Sequence, residues 1–130
     1  MGLSKYSFSK KERLTGKKKI EGLFKKGSSF YLDSFQIRHL QSELVGPNEI
    51  LISVPKRNFK RAVDRNLLKR RIREAYRLNK HLLHKGENES ALYIAFIYLS
   101  KEILTFDNIQ SQLIKGLERL GTSNTNKSHE

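Results

Sequence analysis

Apolar residues recur along this chain at two spacings, one helical and one alternating, and the switches between them mark the elements. Met1 to Thr15 is basic, with apolar marks at Leu3, Tyr6, Phe8 and Leu14, and is expected to be a mobile arm. From Gly16 to Lys26, the residues Ile20, Leu23 and Phe24 stand at i, i+3 and i+4. That spacing predicts a short helix, with Gly27 as its left-handed stop. From Phe30 to Leu40, Phe35 and Ile37 alternate with Gln36 and Arg38, which predicts a strand. Gly46-Pro47-Asn48 signals a turn, and the β-rich run Ile50 to Val54 behind it is closed by Pro55. These two strands are expected to form an antiparallel pair.

Val63 to about His84 carries the clearest helical pattern. Leu68, Ile72, Ala75, Asn79 and Leu82 trace one stripe. At ~100° per residue, Asn66, Lys69, Arg70, Arg73, Arg77 and Lys80 gather on the opposite side, within roughly a third of the circumference. Lys85 to Asn88 reads as a loop. Ala91 to Leu99 is apolar almost throughout, as a central strand covered on both sides would be. Ile103 to Leu120 reads as a last helix with Ile109, Leu113, Leu117 and Leu120 inward, and Asp107 near its N-terminus complements the dipole. Residues 121–130 are polar and low in complexity, and are expected to be disordered. With no internal repeat and no long linker, the reading is one domain over 1–120. Its order is α-β-β-(β)-α-β-α, an α+β sandwich in which the basic helix crosses between two strands of one sheet.

Charge changes the picture from fold to partner. Of 130 residues, 26 are Lys or Arg and 13 are Asp or Glu, a formal net charge of +13. The excess is concentrated in residues 5–26 and 55–81, while the remainder is slightly acidic. Two basic blocks on such a body point to a polyanion. The chain has no cysteine, which excludes disulfides, cysteine nucleophiles and thiolate zinc sites. Its longest apolar run is about half the ~20 residues a membrane-spanning helix needs. The basic N-terminus lacks the apolar stretch of a signal peptide. The expectation is a soluble, cytoplasmic protein.

Catalytic chemistry is not visible. A metal-dependent nuclease would gather carboxylates around its ion, yet the basic helix offers only Asp64 and Glu74, on different faces. His81 and His84 at i and i+3 lack a third ligand nearby, and His39 falls in a strand, where a structural role is expected. No glycine-rich phosphate loop or nucleophilic triad occurs, so no residue of this chain is assigned as catalytic or metal-binding. Recognition chemistry is present instead. Arginine forks suit phosphates. Phe24 and Ile20 beside Lys17, Lys18, Lys25 and Lys26 make an apolar ledge rimmed by cations, the arrangement that holds single-stranded nucleic acid. Ordinary core packing of Phe24 is the alternative that periodicity leaves open.

The run Phe59 to Tyr76, FKRAVDRNLLKRRIREAY, resembles the R-N-R signature helix of the bacterial ribonuclease P protein subunit family. Residues 12–24 (ERLTGKKKIEGLF) and Lys25 to Ser29 are similar to that family's first helix and its exit. Ser53 to Arg57 is similar to its strand end, and Ala95-Phe96-Ile97 to its late buried strand. The similarity runs in order from about residue 11 to 120. It implies a fold like ribosomal protein S5 domain 2, a two-layer α/β sandwich with a left-handed βαβ crossover, an exception to the usual right-handed rule. It also implies a role as protein subunit of the endoribonuclease that removes the 5′ leader of precursor tRNA. There the RNA subunit hydrolyses the phosphodiester with Mg2+ held mainly by RNA.

Carried over by position, the resemblance assigns Arg65, Asn66, Lys69, Arg70, Arg73 and Arg77 to the catalytic RNA. It assigns Lys17, Ile20, Phe24, Arg38, Ser53, Lys56, Arg57 and Arg61 to the leader. Leu67 stands where the signature has its second arginine, and Arg38 where some relatives carry an aromatic. The expected partners are ribonuclease P RNA and precursor tRNA, with no membrane and no obligate protein partner. A structural RNA-binding protein would suit the composition equally well. A DNA-binding protein with its basic helix in a major groove lacks a second helix or dimer seam to support the docking.

Overall fold

A computed structural model describes residues 8–83 and 89–127. Its elements are α1 (Lys17–Lys26), β1 (Ser28–Tyr31), β2 (Phe35–Val45), β3 (Glu49–Ser53), α2 (Ala62–Asn79), β4 (Ser90–Tyr98) and α3 (Phe106–Lys127). Short 3-10 turns lie at Lys10–Glu12 and Lys80–Leu83. This is an α+β fold in the order α-β-β-β-α-β-α, matching the expected class.

The four strands form one sheet in the order β1-β2-β4-β3. β2 runs antiparallel to β1, with Phe30 opposite Ile37, and antiparallel to β4, with Ile37 opposite Phe96. β3 runs parallel to β4, with Ile52 opposite Phe96, so α2 makes the crossover of a βαβ unit. Strand alternation then sorts the side chains. Leu92, Ile94, Phe96 and Tyr98 of β4 point to one face and join Phe35, Ile37 and Ile50. Against them pack Leu68, Ile72, Ala75 and Tyr76 of α2 and Ile109, Leu113, Leu117 and Leu120 of α3. Each large aliphatic side chain removed from water in this way contributes ~1.5–3 kcal/mol. Ala91, Tyr93 and Ala95 point to the other face, under Leu23 of α1 and Leu14. The sheet is thus backed by a helical layer of α2 and α3, with α1 laid over part of its opposite face. Neighbouring strands on both edges and side chains on both faces account for the unbroken apolar run of β4.

Several expectations are corrected. The single strand expected over 30–40 is a hairpin: Leu32 and Phe35 exchange backbone hydrogen bonds (2.8 and 3.3 Å) around Asp33 and Ser34. The expected antiparallel pairing of β2 with β3 does not form, because β4 inserts between them. As the most apolar strand, it takes an interior position, paired on both edges between β2 and β3. The Asn48 carboxamide in the β2–β3 turn accepts the Leu92 amide at 2.8 Å, tying the turn to β4. Gly27 is not left-handed (φ −72°). A Cβ there would lie 2.4 Å from the Leu23 carbonyl oxygen and 2.8 Å from that of His39, so close approach accounts for the glycine. The helix expected to reach His84 ends at Asn79 and tightens into the 3-10 turn, while His84 and the loop at 85–88 lie outside the described residues.

The arm over 1–15 is not free along its length. Leu14 is buried, and Arg13 bridges the edge of β3 at Ile50. Residues 1–7 lie outside the described part. At the other end, α3 continues through Gly121 to Lys127, residues expected to be disordered. Residues 128–130 lie outside the described part.

Candidate nucleic-acid interface

The α2 stripe Leu68, Ile72, Ala75 and Tyr76 is buried, so the helix cannot rotate, and its opposite side is committed to solvent. Asn66, Arg70 and Arg73 are exposed there, with Lys69 half-buried beside them. Among the described residues none of these four side chains makes a hydrogen bond or ion pair within the chain. Arg65 and Arg77 differ. Arg65 Nη1 donates to the carbonyls of Phe59 (2.6 Å) and Lys60 (3.0 Å), fastening the incoming loop to the start of α2. Arg77 grips Glu74 through two bonds of 3.0 and 2.6 Å, and these hold the Glu74 carboxyl below its ordinary range. The sequence therefore named six cationic or amide residues of one kind, which the structure divides into four that face outward and two that are engaged.

α1 lies across the second face of the sheet, plugged by Leu23. Lys17, Ile20 and Phe24 share one face of α1 at i, i+3 and i+7. Phe24 is 41% exposed, so core packing is not its role. Arg38, on the α1 side of β2, donates from Nη2 to the Phe24 carbonyl at 2.8 Å and places its guanidinium carbon 5.2 Å from the Phe24 ring centroid. The cation and the ring form one platform. Ser53, at the end of β3, shares this sheet face by alternation. Exposed Lys56 and Arg57 follow in a turn closed by Asn58 N donating to the Pro55 carbonyl (3.2 Å). Arg61, also exposed, lies 3.9 Å from Asp64 in the first turn of α2. Ile20, Phe24, Arg38 and Ser53 thus share the α1 face of the sheet, and Lys56, Arg57 and Arg61 lie on the connection from that face to α2.

Sequence reasoning missed the supports of this arrangement. Lys19 pairs with Glu49 at 3.1 Å and sits over the Tyr93 ring, and the Glu49 hydrogen bond raises its pKa above the ordinary lysine value. Arg71 Nη1 donates to the Leu104 carbonyl at 2.5 Å, pinning α2 to the approach to α3. Both partners lie some thirty residues away, and no local periodicity signals them. His39 sits beside the Phe30 ring, at 5.8 Å between centroids. Among the described residues no group of three or more His, Asp or Glu side chains converges as a metal site would, and no helix is long and apolar enough to cross a membrane.

A sheet carrying a cationic helix on one side and a cation-stacked aromatic on the other defines a nucleic-acid-binding protein of the α+β class. Residues 8–121 match the family model described as Ribonuclease P. The chain is 40% identical over 119 residues to the ribonuclease P protein component of Porphyromonas gingivalis, covering 88% of this chain and 87% of that one. It is 34% identical over 116 residues to the corresponding component of Petrotoga mobilis, covering 88% and 95%. The solved RNase P protein of Thermotoga maritima superposes with a TM-score of 0.67 at 26% identity, over 83% of this chain and 96% of that one. The chain belongs to the ribonuclease P protein family. It is a protein subunit of the ribonuclease P endoribonuclease, a ribonucleoprotein of tRNA processing, and works with ribonuclease P RNA.

Proposed function

We propose that this chain bridges two RNAs within that enzyme. The outward face of α2, centred on Asn66, Lys69, Arg70 and Arg73, docks on the catalytic RNA. Arg65 and Arg77 support it through the contacts that shape the helix ends. The platform of Phe24 and Arg38, with Lys17, Ile20 and Ser53, holds the single-stranded 5′ leader of precursor tRNA, and Lys56, Arg57 and Arg61 continue its phosphate path towards α2. The observation that carries this reading is the Phe24 ring, exposed and backed by a fixed guanidinium on a sheet face that connects to the basic helix. A base can stack on such a platform while its backbone meets cations. The positive surfaces offset phosphate repulsion between leader and catalytic RNA. Phosphodiester hydrolysis is assigned to the RNA subunit, with Mg2+ held mainly by RNA.

The test is single-turnover cleavage of 5′-labelled precursor tRNA by a bacterial ribonuclease P RNA at low Mg2+, with and without this chain, beside a lane of the chain alone. Stimulation only when both are present, with cleavage at the mature 5′ end, supports the reading. Binding of the RNA without stimulation overturns the bridging role, and cleavage by the chain alone overturns the assignment of catalysis to RNA.

A further inference from the structure

The segment preceding α1 builds a cleft at the β3 edge of the sheet, whereas Arg38 of the Phe24 platform lies on β2. Three contacts fasten this segment. Phe8 meets the Tyr76 ring edge-on at 5.9 Å, the Glu12 carboxylate pairs with Lys80 at 2.6 Å with both groups largely buried, and the Leu14 amide donates to the Ile50 carbonyl at 2.8 Å. The chain then turns away at Gly16 (φ +95°) into α1. The edge of β3 is consequently covered only as far as Ile50. Because Ile50 directs its backbone groups outward to the docked segment, alternation directs those of Ile52 to the same edge, one step beyond the cover. Around this opening a cleft of about 260 Å³ forms between the segment, β3 and α2. Arg13, Lys69 and Arg73 converge on it, Phe8, Ile50 and Ile52 form its apolar wall, and no acidic side chain lines it.

We propose that this cleft receives one unpaired nucleotide of the catalytic RNA. Its phosphate lies among Arg13, Lys69 and Arg73, and its base lies against the apolar wall within reach of the Ile52 amide. The inference rests on the reading that α2 faces the catalytic RNA, and it adds two things. Arg13 becomes an RNA-binding residue, although it stands 56 positions before Lys69 in sequence. The RNA element is single-stranded at this point, because a duplex keeps its bases stacked inside and cannot place one against a wall between a strand edge and a helix. Three cations without a carboxylate select an anion, and the apolar wall gives a nucleotide an advantage over bare phosphate. The guanidinium of Arg13, 5.8 Å from the Phe8 ring centroid, is held in place by the docked segment.

The test uses the full chain, labelled for NMR, titrated with a single-stranded hexaribonucleotide, a longer RNA hairpin whose stem is fully paired and closed by a tight tetraloop, and inorganic phosphate. The hexaribonucleotide is expected to shift the Ile52 amide and the Arg13 Nε–H at concentrations where the hairpin leaves both in place. R13Q is expected to weaken that binding about tenfold, the loss of one charge-assisted contact, and R13K to weaken it less. Equal shifts from hairpin and single strand, saturation by phosphate alone at the same concentration, or wild-type affinity in a folded R13Q would each overturn the proposal. The same preparations enter the cleavage assay. Loss of stimulation with the wild-type chain defeats the bridging function, whereas stimulation together with unaltered R13Q binding defeats only the cleft.

Discussion

Gly27 and Tyr76 illustrate how single residues carry constraints that their type does not announce. At Gly27 the backbone is ordinary, and the constraint is the pair of carbonyl oxygens, from Leu23 and His39, that a Cβ would strike. Backbone oxygens cannot swing aside as a side chain can. Gly27→Ala is therefore expected to destabilise the fold by about 1–3 kcal/mol, measured by urea denaturation. Tyr76 is almost fully buried, and desolvation, reinforced by the Glu12 carboxylate, holds its hydroxyl pKa well above the ordinary 10.0. The sign follows from linkage. An unfolded tyrosine loses its proton near pH 10 while the folded one keeps it, so the unfolded state binds fewer protons and stability falls as pH rises past that value. Tyr76→Phe is expected to lessen the fall in denaturation midpoint between about pH 9 and about pH 11. An unchanged fall would show that Tyr76 does not titrate on unfolding.

At the level of elements, α2 has its two sides set by different physics. One side is held by burial; along the other, some cations are left outward and some are tied to the chain. Arg70 makes no hydrogen bond or ion pair within the described residues, so Arg70→Ala is expected to leave the melting temperature near wild type. It should weaken assembly with ribonuclease P RNA and reduce the log–log salt slope by about 0.7–0.9. Arg65→Ala is expected to behave differently, lowering stability by about 1–3 kcal/mol because the Phe59 and Lys60 carbonyls lose their donor. Affinity measured across a salt series, beside thermal melts, separates the two. In α1 the neighbours Leu23 and Phe24 divide in the same way, one fully buried and the other 41% exposed. Phe24→Ala is expected to weaken binding of leader-bearing precursor more than mature tRNA, by about 1–3 kcal/mol for one stacked base. Equal losses for both would place its role elsewhere than the leader.

For the molecule as a whole, the net charge of +13 has two opposed consequences. Self-repulsion opposes the compact state, so raising salt from about 20 mM to about 200 mM is expected to raise the melting temperature of the free protein. The same change is expected to lower its affinity for RNA, because each counterion released into more concentrated salt gains less entropy. Melting and binding measured on one preparation should therefore move in opposite directions, and parallel movement would contradict the charge argument. The sequence by itself determined the helices, the buried stripe and basic face of α2, and the central place of β4. These depend on local periodicity and on the need to bury Ala91 to Tyr98. The family was legible for the same reason, as an ordered set of local motifs. Only the tertiary structure decided that β4 separates β2 from β3, that residues 8–14 dock on β3 and α2, and that Arg65 and Arg77 turn to the chain itself. Each of those outcomes is a contest between partners distant in sequence, settled by which edge, pocket or carbonyl is left unsatisfied once the core has closed. No spacing along the chain records it.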